Sequence, residues 1–242
     1  MSTIGNRIFT KFTRATKEQV EAFKGIPSSN INDEMNRLFN MNENIRLLNP
    51  ETSKQLLGTA FTVRVPMGDN LFFHEALDRA QPGDVIVVEA GGYCNRSLAG
   101  EIMMKFAQYK GIAGIVVDGC MRDADALSKM EMPIYCVGIT PQGPYKNGPG
   151  EIGTPVAVGG QVVFPGDILV GDADGVVVIH KADADLVAEV AQKKKASEDK
   201  VFAKMDNRWQ DYAESHLAST AKRFAGREPE VVEDDFCNKY GK

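Results

Sequence analysis

Hydrophobic and polar positions divide the chain into a helical N-terminal part and a middle part with strand periodicity. Thr16-x-x-Gln19 has the form of a helix capping box, and Ser28-Ser29 can cap a second helix that runs to Phe39. Thr59–Val65 then alternates between apolar and polar side chains, which predicts a half-buried strand, and a short helix is predicted over Asn70–Arg79. The pattern therefore changes from helices to alternating strands and helices.

Two fully apolar strands, Val85–Val88 and Ile115–Val117, are predicted to be buried on both faces. Gly91-Gly92 is expected to end the first strand, and a helix capped at position 95 or 97 is expected to run to Lys110. Its predicted buried stripe consists of Leu98, Ile102 and Phe106. A strand, a helix and a strand within about 35 residues form a βαβ unit, whose strands should be parallel.

Functional groups in a parallel sheet collect beyond the carboxyl ends of the strands. In this chain those positions are Gly91–Glu101 and Asp118–Asp123. Both segments are therefore candidates for the functional site.

The second half of the chain is predicted to combine short strands with C-terminal helices. Ile134–Gly138 is a short strand, and Thr140–Gly153 is rich in Gly and Pro and is predicted to be a loop. Three further segments are predicted to be hairpin strands: Val156–Val158, Gln161–Phe164 and Val176–Ile179. From about Ala182 the pattern is helical, with a further helix near Trp209–Leu217 and a polar tail. These helices carry few apolar residues, so we expect them to pack on a neighbouring subunit.

Composition and charge exclude several classes of protein. The chain has 242 residues, of which 43% are hydrophobic and 25% are charged, as in an ordinary globular domain. Its net charge of −5 predicts no general attraction to nucleic acid or to an anionic membrane. No apolar run approaches the roughly 20 residues of a membrane span. Because Met1–Thr13 lacks the apolar stretch of a signal peptide, a cytoplasmic location is expected.

Cysteine and histidine usage argues against several kinds of site. The four cysteines show no C-x-x-C spacing, which speaks against a disulfide framework or a zinc knuckle. Cys120 and Cys136 lie beside apolar runs and are predicted to be buried thiols. With three histidines and no H-E-x-x-H motif, a histidine-rich metal site is not expected.

Arg122-Asp123 is the first candidate for chemistry, because it follows a buried strand. Arginine offers a planar fork to a carboxylate, and aspartate offers a hard oxygen ligand to Mg²⁺ or Mn²⁺. This pair suits an anionic oxo acid whose carbonyl group is polarised by a metal ion. On the dipeptide alone, a surface ion pair is the alternative.

Glycine-rich backbone that leads into a helix, from Gly91-Gly92 to Gly100–Met103, is the second candidate. Free N–H groups and the positive end of a helix dipole favour a carboxylate there. Glu101 can accept hydrogen bonds from metal-bound water, or it is an ordinary first-turn acid. Since Lys105 and Lys110 show no sign of a desolvated pocket, metal-assisted catalysis is favoured over Schiff-base catalysis.

Two further segments are interpreted as turns. Gly68-Asp69-Asn70 predicts a turn ahead of His74, which is interpreted as a structural histidine. Gly171–Gly175 has spaced aspartates but lacks the distal Glu of an EF-hand, so a tight hairpin turn is the better interpretation. Phosphate-binding, dinucleotide-binding and nucleophile-elbow motifs are absent from the sequence.

The ordered set of short motifs resembles the RraA-like family, which includes the 4-hydroxy-4-methyl-2-oxoglutarate/4-carboxy-4-hydroxy-2-oxoadipate aldolases. The resemblance covers roughly residues 28–205. The matching elements are Gly68-Asp69-Asn70, Gln81–Val85, Gly100-Glu101, Val117–Gly119, Arg122-Asp123, Pro165–Asp167 and Gly171–Val176. The family signature is an acidic residue followed, after twenty positions, by Arg-Asp, and here that acidic residue is Glu101, where the aldolases typically have Asp.

The resemblance assigns roles to individual residues. It implies that Arg122 binds the carboxylate and carbonyl region of the substrate and that Asp123 ligates the metal ion, with Glu101 as the third catalytic residue. It also implies a substrate pocket formed by Gly100, Ile102, Met103 and Asn70, in which the N–H groups of Ile102 and Met103 hold the carboxylate. A glutamate from a neighbouring subunit's C-terminal helix completes the aldolase site, and Glu198 lies in the corresponding region.

The fold that the resemblance implies is α/β, a swivelling β/β/α domain with additional C-terminal helices. We expect an RraA-like domain with its N-terminal helices over residues 1–205 and a C-terminal helical extension and tail over 206–242. The family assembles as a homotrimer or a dimer of trimers, with sites between subunits.

The predicted activity is that of a divalent-metal-dependent lyase, which cleaves or decarboxylates small 2-oxo acids to pyruvate. Substrate specificity is expected to come from Tyr93, Asn95, Arg96 and the Thr140–Gly153 loop. The alternative is a non-catalytic regulator that binds a ribonuclease, as the family's namesake members do. A methyltransferase is disfavoured because the sequence has no glycine-rich nucleotide loop of the required kind.

Overall fold

The computed structural model describes residues 3–227, 229 and 231. Within these residues the strands, β1 to β11 in chain order, are Asn6–Ile8, Arg46–Leu47, Leu56–Arg64, Asp84–Ala99, Gly114–Met121, Ile134–Ile139, Gly150–Ile152, Val156–Val158, Gln161–Val163, Ile168–Asp172 and Gly175–Ile179. The helices, α1 to α7, are Lys17–Glu21, Ser28–Glu34, Leu71–Arg79, Glu101–Tyr109, Ala124–Leu127, Ala184–Asn207 and Trp209–Phe224.

Most of these strands form one mixed sheet. Its order is β1-β7-β3-β4-β5-β6-β2, with β10 also paired to β3 and β11 paired to β10. The central strands β3, β4, β5 and β6 are parallel neighbours, whereas β7 and β10 run antiparallel to β3. β8 and β9 form a separate antiparallel hairpin. Because α4 connects the parallel strands β4 and β5, the predicted βαβ unit is confirmed.

Alternating side chains of the central strands bury both faces of the sheet, as the apolar runs predicted. Ile86 and Val88 of β4 belong to a core that includes residues of α3, α4 and α5. Val85 and Val87 point the other way, into a core that includes Val156, Val158 and Val163 of the β8–β9 hairpin. The sheet therefore has helices on one face and a hairpin on the other.

The N-terminal helices follow the sequence pattern except at one end. Both hydrogen bonds of the predicted capping box between Thr16 and Gln19 are present at the start of α1. The predicted extension of the second helix to Phe39 is wrong, because α2 ends at Glu34. Asn36 and Arg37 adopt left-handed backbone angles, with φ of 57° and 62°, which a helix cannot continue through.

The prediction that Gly91-Gly92 ends the strand after Val88 is wrong. Both glycines have φ of 67°, and they bend β4 without ending it. β4 continues with bulges to Ala99, and its later residues still pair with β5, Tyr93 with Gly119 and Ser97 with Cys120. The polar segment that was expected to cap a helix is therefore part of the sheet.

The late start of α4 changes which of its side chains are buried. The helix begins at Glu101, and its buried residues are Met103, Met104 and Ala107. The predicted stripe is wrong for Ile102 and Phe106, which are 85% and 46% exposed. An apolar row on α4 thus faces away from the core of this chain.

Two further expectations need correction. The predicted loop over residues 140–153 contains β7, which pairs with both β1 and β3. Cys120 is not a free thiol, because it forms a disulfide with Cys94 that links β5 to the bulged part of β4. Cys136 is a buried free thiol as predicted, and burial raises its pKa to about 11.

The chain divides into two compact units, residues 1–195 and 196–242, with the division inside α6. In the first unit, Val187 and Ala191 of α6 are buried with Phe23 and Ile31 of the N-terminal region. In the second unit, α7 has no buried side chain among the residues that the structure describes. The predicted domain boundary at residues 205 and 206 stays a prediction, and most of the predicted polar tail lies outside the described residues. No helix within the described part of the chain is long and apolar enough to cross a membrane.

Candidate functional site

A cleft of about 320 Å³ lies at the carboxyl ends of β4 and β5. This is the edge at which parallel sheets place their ligands. The cleft is lined by Asn70, His74, Ala99, Gly100, Ile102, Met103, Arg122, Asp123, Gly143, Pro144 and Lys146. The structure therefore brings together six of the residues that the sequence proposed for the site and adds a group from the loop after β6.

Asp123 connects the end of β5 with the start of α4. It adopts a left-handed conformation, with φ of 60°, immediately before α5. Its Oδ2 accepts a hydrogen bond from the backbone N–H of Glu101 at 2.9 Å and lies 3.7 Å from Arg122 Nε. The side chains of Arg122 and Asp123 are 44% and 43% exposed. Both charged groups are thus held at the cleft while remaining accessible to a ligand.

Gly100 is the residue that permits this close approach. A Cβ atom built on Gly100 would overlap Asp123 Oδ2 and would lie 2.9 Å from Arg122 Cγ. The backbone N–H of Arg122 donates to Ala99 O at 3.0 Å, which fixes the end of β5 against the start of α4. The first-turn N–H groups of Ile102 and Met103 have no acceptor within their own helix, so they are available to an anion in the cleft.

The carboxylate of Glu101 lies beside the cleft and is paired within α4. It forms an ion pair with Lys105 at 2.6 Å, one helical turn further on. The hydrogen bond and charge of Glu101 raise the pKa of Lys105. Glu101 is 39% exposed, so this pair lies at the surface beside the cleft.

Asn70 is the most deeply buried polar side chain of the cleft. Its Nδ2 donates to Leu98 O at 2.7 Å, which ties the start of α3 to the end of β4. Its Oδ1 is buried and has no hydrogen-bond partner among the described residues. A buried acceptor without a donor costs free energy, so this atom is suited to a hydroxyl or water donor in the cleft.

His74 and Lys146 were not named as site residues, although Lys146 belongs to the Thr140–Gly153 loop that was expected to set substrate specificity. Burial, followed by the charge of Lys146, lowers the pKa of His74, which is therefore neutral at pH 7. The Nε2 atom of His74 is buried and has no hydrogen-bond partner in the described part of the chain. Lys146 comes from the Gly-Pro-rich loop, whose composition predicted a loop but not its position over the carboxyl ends of the strands.

The Gly91-Gly92 backbone does not provide the anion site that the sequence suggested. Burial raises the pKa of Asp118, and backbone N–H groups of Gly92 and Gly91 oppose that shift by hydrogen bonding to its carboxylate. These donors are thus used within the protein. The backbone N–H groups that border the cleft are those of the first turn of α4.

Asp123 is the carboxylate among the residues that line the cleft. No group of three or more His, Cys, Asp or Glu side chains with suitable spacing occurs among the residues that the structure describes. Mg²⁺, however, is commonly bound by one or two carboxylates and otherwise keeps its water ligands. A half-exposed carboxylate beside an open cleft fits that mode of binding. Glu198 lies in α6 beyond residue 195, and its predicted contribution to a neighbouring subunit's site stays a prediction.

Comparison with known proteins identifies the family. A family model described as "RraA-like: Aldolase/RraA" matches residues 28–178. This chain belongs to the RraA-like family. Over 187 residues it is 41% identical to a protein of Halalkalibacterium halodurans named "Putative 4-hydroxy-4-methyl-2-oxoglutarate aldolase". The aligned region covers 77% of this chain and 88% of that protein.

Solved structures confirm the predicted RraA-like α/β fold. One of them is Streptomyces coelicolor RraAS2, described as an unusual member of the RNase ES inhibitor RraA protein family. It matches with a TM-score of 0.68 and 29% sequence identity, and the match covers 80% of this chain and all of that one. The RNA-processing inhibitor RraA from Thermus thermophilis matches with a TM-score of 0.58 and 27% identity over 63% of this chain and 91% of that one. The RraA-like family thus includes relatives that are named for two different activities.

Proposed function

We propose that this protein is a divalent-metal-dependent lyase that cleaves or decarboxylates a small 2-oxo acid and releases pyruvate. The reaction would be that of a 4-hydroxy-4-methyl-2-oxoglutarate aldolase or an oxaloacetate decarboxylase. The observation that carries the proposal is the meeting of Arg122, Asp123 and the first turn of α4 in one cleft. These groups supply a cation, a hard oxygen ligand and backbone N–H donors, which a metal ion and a 2-oxo acid require. The relative named as an aldolase supports the same class of reaction.

Substrate binding follows from the cations and donors of the cleft. The carboxylate next to the 2-oxo group would lie at the first turn of α4, where the N–H groups of Ile102 and Met103 point, with the guanidinium of Arg122 beside it. Both candidate substrates carry a second carboxylate. Lys146 is the second cation of the cleft and would attract that group.

Asp123 is the residue that would hold Mg²⁺ or Mn²⁺. Its Oδ2 accepts one backbone hydrogen bond, which leaves acceptor capacity on the carboxylate. A bound ion would supply Lewis-acid polarisation of the 2-oxo group. Arg122 would stabilise the negative charge that develops on the carbonyl oxygen while the carbon–carbon bond breaks. The same stabilisation serves aldol cleavage and decarboxylation.

Aldol cleavage also requires removal of a proton from the substrate hydroxyl group. Glu101 would hold the water that accepts this proton, because its carboxylate is partly exposed beside the cleft and its present partner is a surface lysine. Asn70 would orient the hydroxyl group by accepting a hydrogen bond at Oδ1. Decarboxylation needs no such proton transfer, so Glu101 should matter more for the aldol substrate.

We further propose that the chain works as a homotrimer or a dimer of trimers. Ile102, Phe106 and Tyr109 form an exposed apolar row on α4 that begins at the cleft. Exposed apolar rows of this kind are typical of protein contacts. A neighbouring subunit placed there would border the cleft, and its Glu198 is the predicted additional site residue.

The first test is pyruvate release from oxaloacetate and from 4-hydroxy-4-methyl-2-oxoglutarate, with Mg²⁺ or Mn²⁺ and then with EDTA. The rate at which the free metal ion decarboxylates oxaloacetate without protein is measured separately and subtracted. Asp123→Asn keeps the left-handed backbone accessible and removes the charge, since asparagine tolerates positive φ. The matched control is Asp125→Asn, which removes a charge from the exposed first turn of α5. We expect the wild-type protein to release pyruvate in a metal-dependent reaction. Asp123→Asn should reduce the rate of release at least about 100-fold, and Asp125→Asn should leave it unchanged.

The structural neighbours favour a second function. Because two of them are named as RNA-processing or RNase inhibitors, a regulator that binds a ribonuclease is the alternative. Salt-sensitive binding to a ribonuclease, together with no release of pyruvate from either substrate by the wild-type protein, would contradict the lyase and support the regulator. Equal activity of the wild type and Asp123→Asn would contradict the proposed role of Asp123.

A further inference from the structure

We infer that Arg96 is a positioning residue that holds the segment Gln142–Lys146 in place as one wall of the cleft. This inference rests on the proposed function only for its effect on catalysis. Gly143, Pro144 and Lys146 line the cleft, whereas Arg96 lies outside it on β4. Arg96 would therefore influence substrate binding through the wall and not by contact with the substrate.

The contacts of Arg96 reach several points of this wall. Its Nη1 donates to Gly143 O at 2.8 Å, and its Nη2 donates to the hydroxyl oxygen of Tyr145 at 2.9 Å. The guanidinium carbon also lies 4.0 Å from the centre of the Tyr145 ring, in stacking position. In the amide orientation that satisfies its neighbours, Gln142 accepts from Arg96 Nη2 at 3.0 Å and donates to Asn95 O at 2.9 Å. One side chain thus holds three of the five wall residues.

The backbone that carries Arg96 is fixed to the sheet. The neighbouring Ser97 pairs with β5 and donates to Gln142 O from both its backbone N–H at 2.8 Å and its hydroxyl group at 2.9 Å. Two residues before Arg96, Cys94 is joined to Cys120 of β5 by the disulfide. The bulged part of β4 is therefore a firm base from which Arg96 can hold a loop.

Gly68-Asp69 holds the opposite side of the same segment. The carbonyl oxygen of Gly68 accepts the N–H of Tyr145 at 2.8 Å, and Asp69 Oδ2 accepts the N–H groups of Asn147 and Gly148 at 2.6 and 3.0 Å. A Cβ atom on Gly68 would lie 3.0 Å from Arg96 Cδ, so glycine gives the arginine stem its space. Arg96 thus contacts the segment itself, whereas the Asp69 carboxylate holds the two residues that follow it, which allows their effects to be separated.

The wall reaches the proposed catalytic pair through Gly143. A Cβ atom on Gly143 would lie 3.2 Å from Arg122 Nη1, so the backbone of the wall borders that guanidinium directly. The same wall carries Lys146, the second cation of the cleft. Movement of the wall would therefore displace Lys146 and loosen the contact with Arg122, which weakens the binding of the substrate carboxylates.

Arginine fits this position better than lysine. A planar guanidinium can donate in several directions and stack on an aromatic ring at the same time, whereas an ammonium group is a single compact donor. Arg96→Lys keeps the positive charge and loses the combined contacts. It therefore separates a positioning role from a purely electrostatic one.

The test measures hydrogen exchange at individual amides together with steady-state kinetics. In Arg96→Lys and Arg96→Gln we expect the Tyr145 amide to exchange about tenfold faster, because hydrogen bonds from a charged group and ring stacking are both lost. The Gly148 amide should change less, since Asp69 still holds it. The matched control is Arg64→Lys, whose arginine also forms a bidentate pair, with Glu89, but does not line the cleft.

The kinetic expectation is a rise in KM of about tenfold for a dicarboxylic 2-oxo acid, with kcat within about threefold of the wild-type value. Wild-type exchange at Tyr145 in both variants would overturn the inference whether or not the protein is a lyase. Faster exchange with unchanged KM would overturn the link between the wall and the substrate. If the wild-type protein turns over no 2-oxo acid, the proposed function fails, while the exchange measurement still decides the role of Arg96.

Discussion

Asp84 and Asp123 place the same side chain in opposite environments at the two ends of the parallel strands. Asp84 lies at the amino end of β4, where it is 1% exposed. It accepts hydrogen bonds from Gln81 N at 2.8 Å, Thr59 Oγ1 at 3.0 Å and, at 2.7 and 2.8 Å, from two nitrogens of Arg14. Asp123 follows the carboxyl end of β5, is half-exposed, and accepts one backbone N–H. A saturated, buried carboxylate stabilises a fold, whereas an exposed carboxylate with spare acceptor capacity can bind a ligand.

Asp167 belongs with Asp84 in this comparison. Both follow a Pro-Gly dipeptide whose glycine has φ of 87°, and both are buried. Asp167 accepts the N–H of Phe164 at 3.0 Å and lies 2.8 Å from His180 Nδ1. The two Pro-Gly-Asp segments therefore share a turn in which the carboxylate binds the N–H three residues earlier. This common turn chemistry explains their similarity without an internal repeat.

The largest expected effect is on stability, in Asp84→Asn. The Asp84 carboxylate accepts four hydrogen bonds, whereas the amide of asparagine has only one oxygen acceptor and adds an NH₂ donor. The substitution also leaves the positive charge of Arg14 without its negative partner. We expect the free energy of unfolding to fall by about 3 kcal/mol, which is near the lower end of the range for breaking a buried ion pair. The lower end applies because Arg14 is partly exposed and can still be hydrated. Urea denaturation followed by circular dichroism measures this change. A loss below about 1 kcal/mol would contradict the structural role of Asp84.

Asp123→Asn is the matched counterpart and should have little effect on stability. The amide oxygen of asparagine can still accept the N–H of Glu101, and asparagine tolerates the left-handed backbone. We therefore expect a change within about 1 kcal/mol in the same denaturation experiment, although activity is lost. A destabilisation as large as that of Asp84→Asn would show that Asp123 is a structural carboxylate, and the comparison would fail.

Gly100→Ala should reduce activity through crowding alone. The added methyl group would overlap Asp123 Oδ2 and press on Arg122, so both side chains must move. We expect kcat/KM to fall by about 100-fold, and stability by about 1–2 kcal/mol. The control is Gly83→Ala, in the Asp84 turn, where a Cβ meets no atom within 4 Å but φ is 87°. Gly83→Ala should be less stable because of backbone strain. The kcat/KM of its folded fraction should equal that of the wild type.

The sequence predicted those parts of the fold and candidate site that depend on local pattern. The capping box at Thr16, the apolar strands and the βαβ connection are all present. The position of Arg122-Asp123 after a buried strand was sufficient to place the pair at the carboxyl edge of the sheet. These features are determined by a few residues that are close together in the chain, so they can be predicted from a single sequence.

Apart from the local backbone angles that end α2 early, the errors concern contacts between distant segments. The continuation of β4 past Gly91-Gly92 depends on pairing with β5, and it shifts the start of α4 to Glu101, which exposes Ile102. The disulfide between Cys94 and Cys120 depends on the same pairing. Lys146 lies in a loop that was expected to set specificity, but its position in the cleft accompanies hydrogen bonds of that loop to Arg96 and Asp69, which the sequence did not predict.

The smallest expected effect is a pH dependence of stability that comes from His74. Burial lowers its pKa below the ordinary value of 6.5, so the unfolded state binds a proton more readily than the folded state does. Stability should therefore rise with pH between the lowered pKa and 6.5, and this contribution is lost as the pH falls through that window. Urea midpoints at pH 5 and pH 7.5 should differ less in His74→Gln than in the wild type. His216→Gln, at an exposed position of α7, is the control and should keep the wild-type difference. An unchanged pH dependence in His74→Gln would show that His74 titrates with the same pKa in the folded and the unfolded protein, and would contradict the lowering of its pKa by burial.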